Sequence, residues 1–418
     1  MSLKRVVVTG VGALTPIGNN VNDFWGGLIS GKSGSASISH FDASKFKTRF
    51  GCELKNFNAI DFIDKKEIRK YDNYTIYSLV STQEALINSG IDLDNINKDN
   101  VGVIWGSGIG GINTFSKEIE GFVLGDGTPR FSPFFIPKMI ADIAAGIISI
   151  KYGFRGPNFA TVSACASSAN AIIDAFNYIR LGHASVFVCG GSEASITPAG
   201  VGGFNALKAL STNNSDPSRA SRPFDVDRDG FVLGEGSGTL VLEEYEHAKQ
   251  RNANILAEIV GGGLSADAHH ITAPHPDGVG AGMVMNRALS DASISAKNID
   301  YINVHGTSTG LGDIAEIKAI KSVFKNEVYR LNISSSKSMT GHLLGAAGAI
   351  ESIACILAMK YNKIPPTINL MNLDPLLDDK INYTPNHCQE KNVTYAMCNT
   401  FGFGGHNASI IFRKHESK

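Results

Sequence analysis

No apolar run in these 418 residues approaches the length that crosses a bilayer. The N-terminus, Met1-Ser2-Leu3-Lys4-Arg5, passes at once into Val6-Val7-Val8, too short for the apolar core of a secretion signal. The six cysteines, at 52, 165, 189, 355, 388 and 398, include no C-x-x-C pair and no regular spacing, which argues against a disulfide framework and against metal binding. An excess of one charge is also missing. With 38 Lys and Arg against 39 Asp and Glu, the net charge of −1 gives no field to hold nucleic acid or an anionic membrane, so any partner electrostatics are local. The expectation is a cytoplasmic protein, in full length, without a metal and with neither nucleic acid nor membrane as its partner.

What is present is a compact composition, 43% apolar and only 18% charged, in a chain longer than one hydrophobic core usually organises. Two core units follow, and an internal echo says they are related. Glu84-Ala85-Leu86 through Ile91, then Asn95-Ile96, resembles Arg287-Ala288-Leu289 through Ile294, then Asn298-Ile299, at a constant offset of 203 (287 − 84). Each copy precedes a strand, Val101–Trp105 or Tyr301–Val304, that ends in a Gly-rich turn. The strand–turn–helix around Cys165 has its counterpart in Asn332–Met359. The spacing predicts an α/β chain of two duplicated halves, residues 1–253 and 254–418, packed as similar layers.

Locally, Val6–Thr9 reads as a short strand ended by Gly10-Val11-Gly12, Phe24–Ile29 as a short helix, and Ser78–Ser89 as a longer one. Lys65, Lys66, Arg69 and Lys70 fall within an arc of ~140° if helical, which makes one basic face. Two motifs mislead. Gly106-Ser107-Gly108-Ile109-Gly110-Gly111 imitates a dinucleotide fingerprint, but the chain then wanders through Gly121, Gly125, Gly127, Pro129, Pro133 and Pro137 instead of returning to a second strand. Asp225-Val226-Asp227-Arg228-Asp229-Gly230 imitates a calcium loop, yet its twelfth position is Gly236, where a bidentate Glu belongs.

The chemistry gathers on three residues. Thr161-Val162-Ser163-Ala164-Cys165-Ala166-Ser167-Ser168 leads into the helical pattern Ala169–Leu181, so Cys165 is expected at a helix N-terminus, where the macrodipole favours a nucleophilic thiolate. Taken alone, Cys165 is as readily a buried structural thiol. His305 stands at a strand end, in Val304-His305-Gly306-Thr307-Ser308-Thr309, and His342 just before a helix, in Lys337-Ser338-Met339-Thr340-Gly341-His342. Duplication brings corresponding strand ends together, so the three converge as a nucleophile with two bases or hydrogen-bond donors.

These stretches resemble the β-ketoacyl-[acyl-carrier-protein] synthases, thiolase-like condensing enzymes, most closely the type II members. The resemblance runs from Val6 to Ile411 and includes Gly190-Gly191-Ser192-Glu193, Arg222-Pro223-Phe224-Asp225, Gly345-Ala346-Ala347-Gly348 and Asn399-Thr400-Phe401-Gly402-Phe403-Gly404-Gly405. It implies a homodimer of subunits layered α-β-α-β-α, acting on acyl carrier protein in fatty acid biosynthesis with no cofactor beyond the phosphopantetheine that the substrates carry. It implies an acyltransferase in which Cys165 takes the acyl chain and His305 and His342 serve decarboxylation of malonyl-carrier. Lys337 would orient the histidines, Glu351 support Lys337 and Phe403 gate the pocket. Thr272 and Thr307 would bind pantetheine, and Ile109 would line the acyl pocket with Phe135 of the other subunit. Lys65, Lys66, Arg69 and Lys70, with Arg130 and Lys208, would dock the acidic carrier. Gly310 replaces a usual Pro, a change expected to loosen its turn, and His406 stands where Thr is also common. Open beside this are a synthase I or polyketide ketosynthase with the same Cys-His-His set, a non-catalytic chain-length partner, which an intact Cys165 argues against, and a nucleotide-binding oxidoreductase.

Overall fold

A computed structural model describes residues 3–416. Ten strands form one mixed sheet. The first half supplies β1 (Val6–Leu14), β2 (Val101–Gly106), β3 (Asn158–Thr161), β4 (Val186–Glu193) and β5 (Gly236–Glu244), and the second supplies β6 (Ala257–Ala266), β7 (Tyr301–Asn303), β8 (Asn332–Ser334), β9 (Tyr395–Gly402) and β10 (His406–Lys414). The order across the sheet is β8-β7-β9-β10-β6-β1-β5-β4-β2-β3, which is one five-strand permutation read outward twice from the middle. Each half pairs its second, third and fourth strands in parallel and the rest antiparallel. The seam is thin: β1 meets β6 through Val6, Val7 and Val8 only.

Helices cover both half-sheets and fill the space between them. We label α1 (Asn73–Ser89) and α2 (Ile143–Tyr152) outside the first half, α4 (Val279–Asp291) and α5 (Gly310–Phe324) outside the second, and α3 (Ser167–Arg180) and α6 (Ala347–Tyr361) in the middle. The two middle helices pack on each other, and each touches strands of both halves. This is the α-β-α-β-α layering. Every residue of α6 from Ala347 to Met359 is buried, as expected of a helix apolar on all sides. Contrary to the sequence expectation, one stretch among the described residues, Leu344–Tyr361, is long and apolar enough to cross a membrane, but 89% of it is buried inside this core.

The glycines expected to end the first strand do not end it. β1 runs through Gly10 and Gly12, where α1 lies so close that a Cβ would come within 2.2 Å of Ala85 O or 2.0 Å of Ser81 O. Glycine inside a strand costs about 0.5–1 kcal/mol relative to alanine; here the close packing of α1 on β1 requires it. Helix α1 likewise begins earlier than periodicity suggested, at Asn73, because Tyr74, Ile76 and Tyr77 are buried against the first half-sheet.

Candidate active site

Cys165 occupies a single 3-10 turn, Ala164–Ala166, that runs straight into α3. The turn is opened by Ala164 in the left-handed region, at φ +51°. Around the sulfur is an apolar shell that includes Ile196, Val201, Phe231 and Leu344. Burial pushes the thiol up to about 12, against the Lys337 charge and the hydrogen bond from the Phe403 N–H. This corrects the expectation of a resting thiolate. The helix N-terminus is where it was expected, but a macrodipole worth at most about 2 kcal/mol does not offset removing the sulfur from water. The proton must leave through a neighbour.

That neighbour is His342, whose Nε2 lies 3.0 Å from Cys165 Sγ. Its backbone is clamped on both sides, the N–H donating to Val232 O at 2.7 Å and the carbonyl accepting from Gly234 N at 2.9 Å. Phe231 stands edge-on to the ring, with centroids 5.3 Å apart. His305 lies across from it, 5.3 Å between ring centroids and nearly perpendicular, at 86°. The turn after β7 is fixed by Glu316, whose carboxylate accepts from His305 N at 2.9 Å and Gly306 N at 2.7 Å. Burial and the nearby Lys337 charge hold both imidazoles well below their ordinary 6.5, so both are neutral near pH 7.

Lys337 and Glu351 are buried and paired with each other. Burial pushes the Glu351 carboxyl up to about 7, against the pull of Lys337. Neither residue of the pair lines the cavity, but the Lys337 charge is felt at both histidines and at the thiol. Together these groups give a thiol with a proton acceptor, two neutral rings able to donate to a developing oxyanion, and the N–H of Phe403 aimed at the sulfur.

Residues 3–248 match the sequence profile of the Beta-ketoacyl synthase, N-terminal domain, and residues 256–371 that of the Beta-ketoacyl synthase, C-terminal domain. This chain belongs to the β-ketoacyl synthase family. It is 47% identical over 413 residues to a 3-oxoacyl-[acyl-carrier-protein] synthase 2 of Synechocystis, covering 99% of each chain. Among solved structures it is similar to a Beta-ketoacyl synthase from Burkholderia phymatum, with TM-score 0.91 and 36% identity over 99% of this chain and 100% of that one. It is similar too to a type II PKS acyl-carrier protein in complex with its ketosynthase bound to the hexaketide, with TM-score 0.88 and 32% identity over 99% and 100% of the two chains.

In this ketoacyl synthase a cavity of about 370 Å³ leads from the surface to Cys165, lined by His305, His342, Thr272, Thr307 and Phe403 among others. Lys208 stands exposed at its rim. Ile109 and Phe135 do not line it. Ile109 is exposed on the turn after β2, and Phe135 stacks on Phe115 and Phe131 in an aromatic surface. The basic segment is one turn of helix, Lys65–Ile68, continued in helical geometry by Arg69; Lys70 pairs with Glu67 at 2.7 Å, and Arg130 with Asp126 at 3.2 Å.

The Gly310 turn is pinned, not loose. Arg228 donates to the carbonyls of Thr309 and Gly310 at 3.1 and 3.0 Å, and reaches Asp374 at 2.7 Å. Sequence reading missed Arg228 because it lay inside the false calcium loop. It also missed Phe231 and Glu316, although Glu316, a carboxylate eleven residues after His305, carried a signal. His406, exposed, lays its ring against Gly404. Sγ of Cys165 and one ring nitrogen of each histidine lie within 4.8 Å of one another, a spacing that suits a metal ion, while the Lys337 charge felt at both rings opposes a cation there.

Proposed function

We propose that this chain is a 3-oxoacyl-[acyl-carrier-protein] synthase of type II, which condenses malonyl-carrier with an acyl chain held on Cys165 and lengthens that chain by two carbons. The observation that carries the reading is the 3.0 Å contact between Cys165 Sγ and His342 Nε2, with His305 beside them at the end of one cavity. The first step transfers the acyl group. Cys165 attacks the thioester carbonyl while its proton passes to His342; the carrier's carbon–sulfur bond breaks, and the departing thiol takes that proton back. The N–H groups of Cys165 and Phe403 hold the oxyanion.

The second step uses the same rings as donors. Acylation releases His342 from the thiol, so His305 and His342 donate to the thioester oxygen of malonyl-carrier. Its bond to the carboxylate breaks, carbon dioxide leaves, and the electron pair forms an enolate that two neutral N–H donors stabilise. The enolate carbon attacks the acyl-cysteine, the carbon–sulfur bond breaks, and the sulfur, released as a thiolate, takes a proton from water. Lys337 and Glu351 orient the rings. Phe403, at the tip between β9 and β10, gates the cavity, and Thr272 and Thr307 bind the pantetheine arm along its wall. No cofactor beyond that arm enters the scheme.

The carrier docks on the basic surface of Lys65, Lys66, Arg69 and Lys70, with Arg130 as a further contact and Lys208 at the entrance. A homodimer covers the exposed aromatic surface around Phe115, Phe131 and Phe134 and the open edge of β3, and brings Phe135 to the partner's acyl pocket beside Ile109. The two halves divide at residues 253 and 254, and the six free cysteines suit a cytoplasmic setting. Identity of 47% to the synthase 2 relative against 32% to the polyketide ketosynthase favours fatty acyl substrates. The test is intact-mass analysis of the protein after exposure to a ladder of acyl-carriers, followed by malonyl-carrier. Acyl loading on Cys165, and release of a 3-ketoacyl-carrier two carbons longer, is the expected result; failure to load any acyl chain refutes the reading.

A further inference from the structure

Duplication gives the catalytic turn a twin. The 3-10 turns Ala164–Ala166 and Leu344–Ala346 each run into a middle helix, and each is opened by a residue in the left-handed region, Ala164 at φ +51° and Leu344 at +47°. Gly345 therefore stands where Cys165 stands in the other half. The strands beside them correspond as well. β4 runs Val186–Glu193 and pairs with β5 along its whole length, as β9, Tyr395–Gly402, pairs with β10, so that Glu193 matches Gly402.

These two matches meet at one place. In the catalytic half a Cβ on Gly402 would fall 3.0 Å from Cys165 N, so the absent side chain leaves the space over that N–H open. In the twin the space is filled. The Glu193 carboxylate accepts from Gly345 N at 3.0 Å, Gly108 N at 2.7 Å and Ile109 N at 3.3 Å, and from the Ser107 hydroxyl at 3.3 Å. Glu193 has no exposed surface, and burial pushes its carboxyl up to about 7 against the pull of those N–H groups. The Gly-rich turn that imitates a phosphate loop thus has its N–H donors already engaged by a protein carboxylate, which disposes of the nucleotide reading.

We propose that Glu193 is an internal anion seated in the twin of the oxyanion hole, and that it is a positioning residue for chain selection. It fastens the turn carrying Ile109 to the turn that follows His342. Whatever length of acyl chain lies along Ile109 is measured from Cys165 through this one carboxylate. The inference rests on the reading above that Ile109 borders the acyl chain.

The test compares wild type, Glu193→Ala and Glu193→Gln across a ladder of acyl-carriers, reading kcat/KM for each chain length and loading of Cys165 by intact mass. Glu193→Ala is expected to load the shortest chains while its preference between short and long chains shifts by roughly tenfold or more, the scale on which pocket contacts discriminate. Formate, an anion that fits the vacated cradle, is expected to restore the wild-type preference saturably. A refolding yield that recovers only with formate supports the same conclusion. Glu193→Gln keeps the volume but turns an amide N–H toward N–H donors, so it is expected to fold, to show the altered preference and to ignore formate. A wild-type preference in either variant overturns the proposal, as does a folded Glu193→Ala that formate does not change. Wild type that fails to load any chain would instead overturn the reading of function, so the two failures are distinct.

Discussion

Replacing Gly402 by alanine tests the oxyanion hole with one methyl group. Gly402 is not among the residues in the left-handed region, so the backbone accepts alanine, and the effect comes from space alone. The new Cβ would stand 2.7 Å from Ser163 O and 3.0 Å from Cys165 N, where ordinary contact begins at 3.4 Å, so the turn must yield by roughly 0.4–0.7 Å. That is the size of the ~0.5 Å within which a catalytic constellation must be held. The methyl also covers the N–H that receives the oxyanion. Loss of one such donor lowers the rate by about 10²–10³, or about 2.7–4 kcal/mol. Acylation of Cys165 should fall by that factor in single-turnover intact-mass measurements. Decarboxylation of malonyl-carrier should fall much less, because His305 and His342 are not displaced. Circular dichroism should report an unchanged fold. Acylation at the wild-type rate would remove the Cys165 N–H from the mechanism.

Cys165→Gln should lose condensation yet still release carbon dioxide from malonyl-carrier, whereas His305→Ala and His342→Ala should each lower that release by roughly 10²–10³; silent Cys165→Gln protein, or undiminished histidine variants, would break this division of labour. Both rings are held well below 6.5, so carbon dioxide release by Cys165→Gln, whose sulfur no longer titrates, should pass through pH 6.5 without an acid limb, and a half-fall at that pH in its rate profile would contradict their buried neutrality. Charge reversal at Lys65, Lys66 and Arg69 should weaken use of carrier-bound substrate and spare small pantetheine thioesters. Added salt should act on the wild type in the same direction, since exposed charges are screened within about 10 Å at 0.1 M; equal loss with both substrate types would make the surface structural.

Cys165, His305 and His342 were legible because the duplication sets their turns at corresponding strand ends, and the duplication was legible because Glu84–Ile91 and Arg287–Ile294 still resemble each other. What it hid was set by tertiary contact. Gly10 and Gly12 look like the end of a strand until α1 is laid across them. Phe231 and Leu344 are ordinary apolar residues until the fold brings them around the sulfur. The resting thiol was misjudged because helix position is legible in a sequence, whereas desolvation depends on everything packed nearby. Ile109 and Phe135 lie outside the cavity of a single chain, where no local pattern could have placed them.

The middle layer has a consequence for the order in which the protein is made. Helix α6 ends 181 residues after α3 (361 − 180), a lag of roughly 10–40 s at a synthesis rate of 5–20 residues per second. Until α6 leaves the ribosome, the face of α3 turned away from the first half-sheet lacks this partner, although every strand of that half has already emerged. The first half can close the core on its outer side from its own residues, Leu14 to Val241, but not the middle layer it shares with the second half. That layer waits, with Ile172 and Phe176 among the residues still to be covered, for α6 to arrive. A nascent chain stalled before Ala347 is the form in which this protein most needs a chaperone.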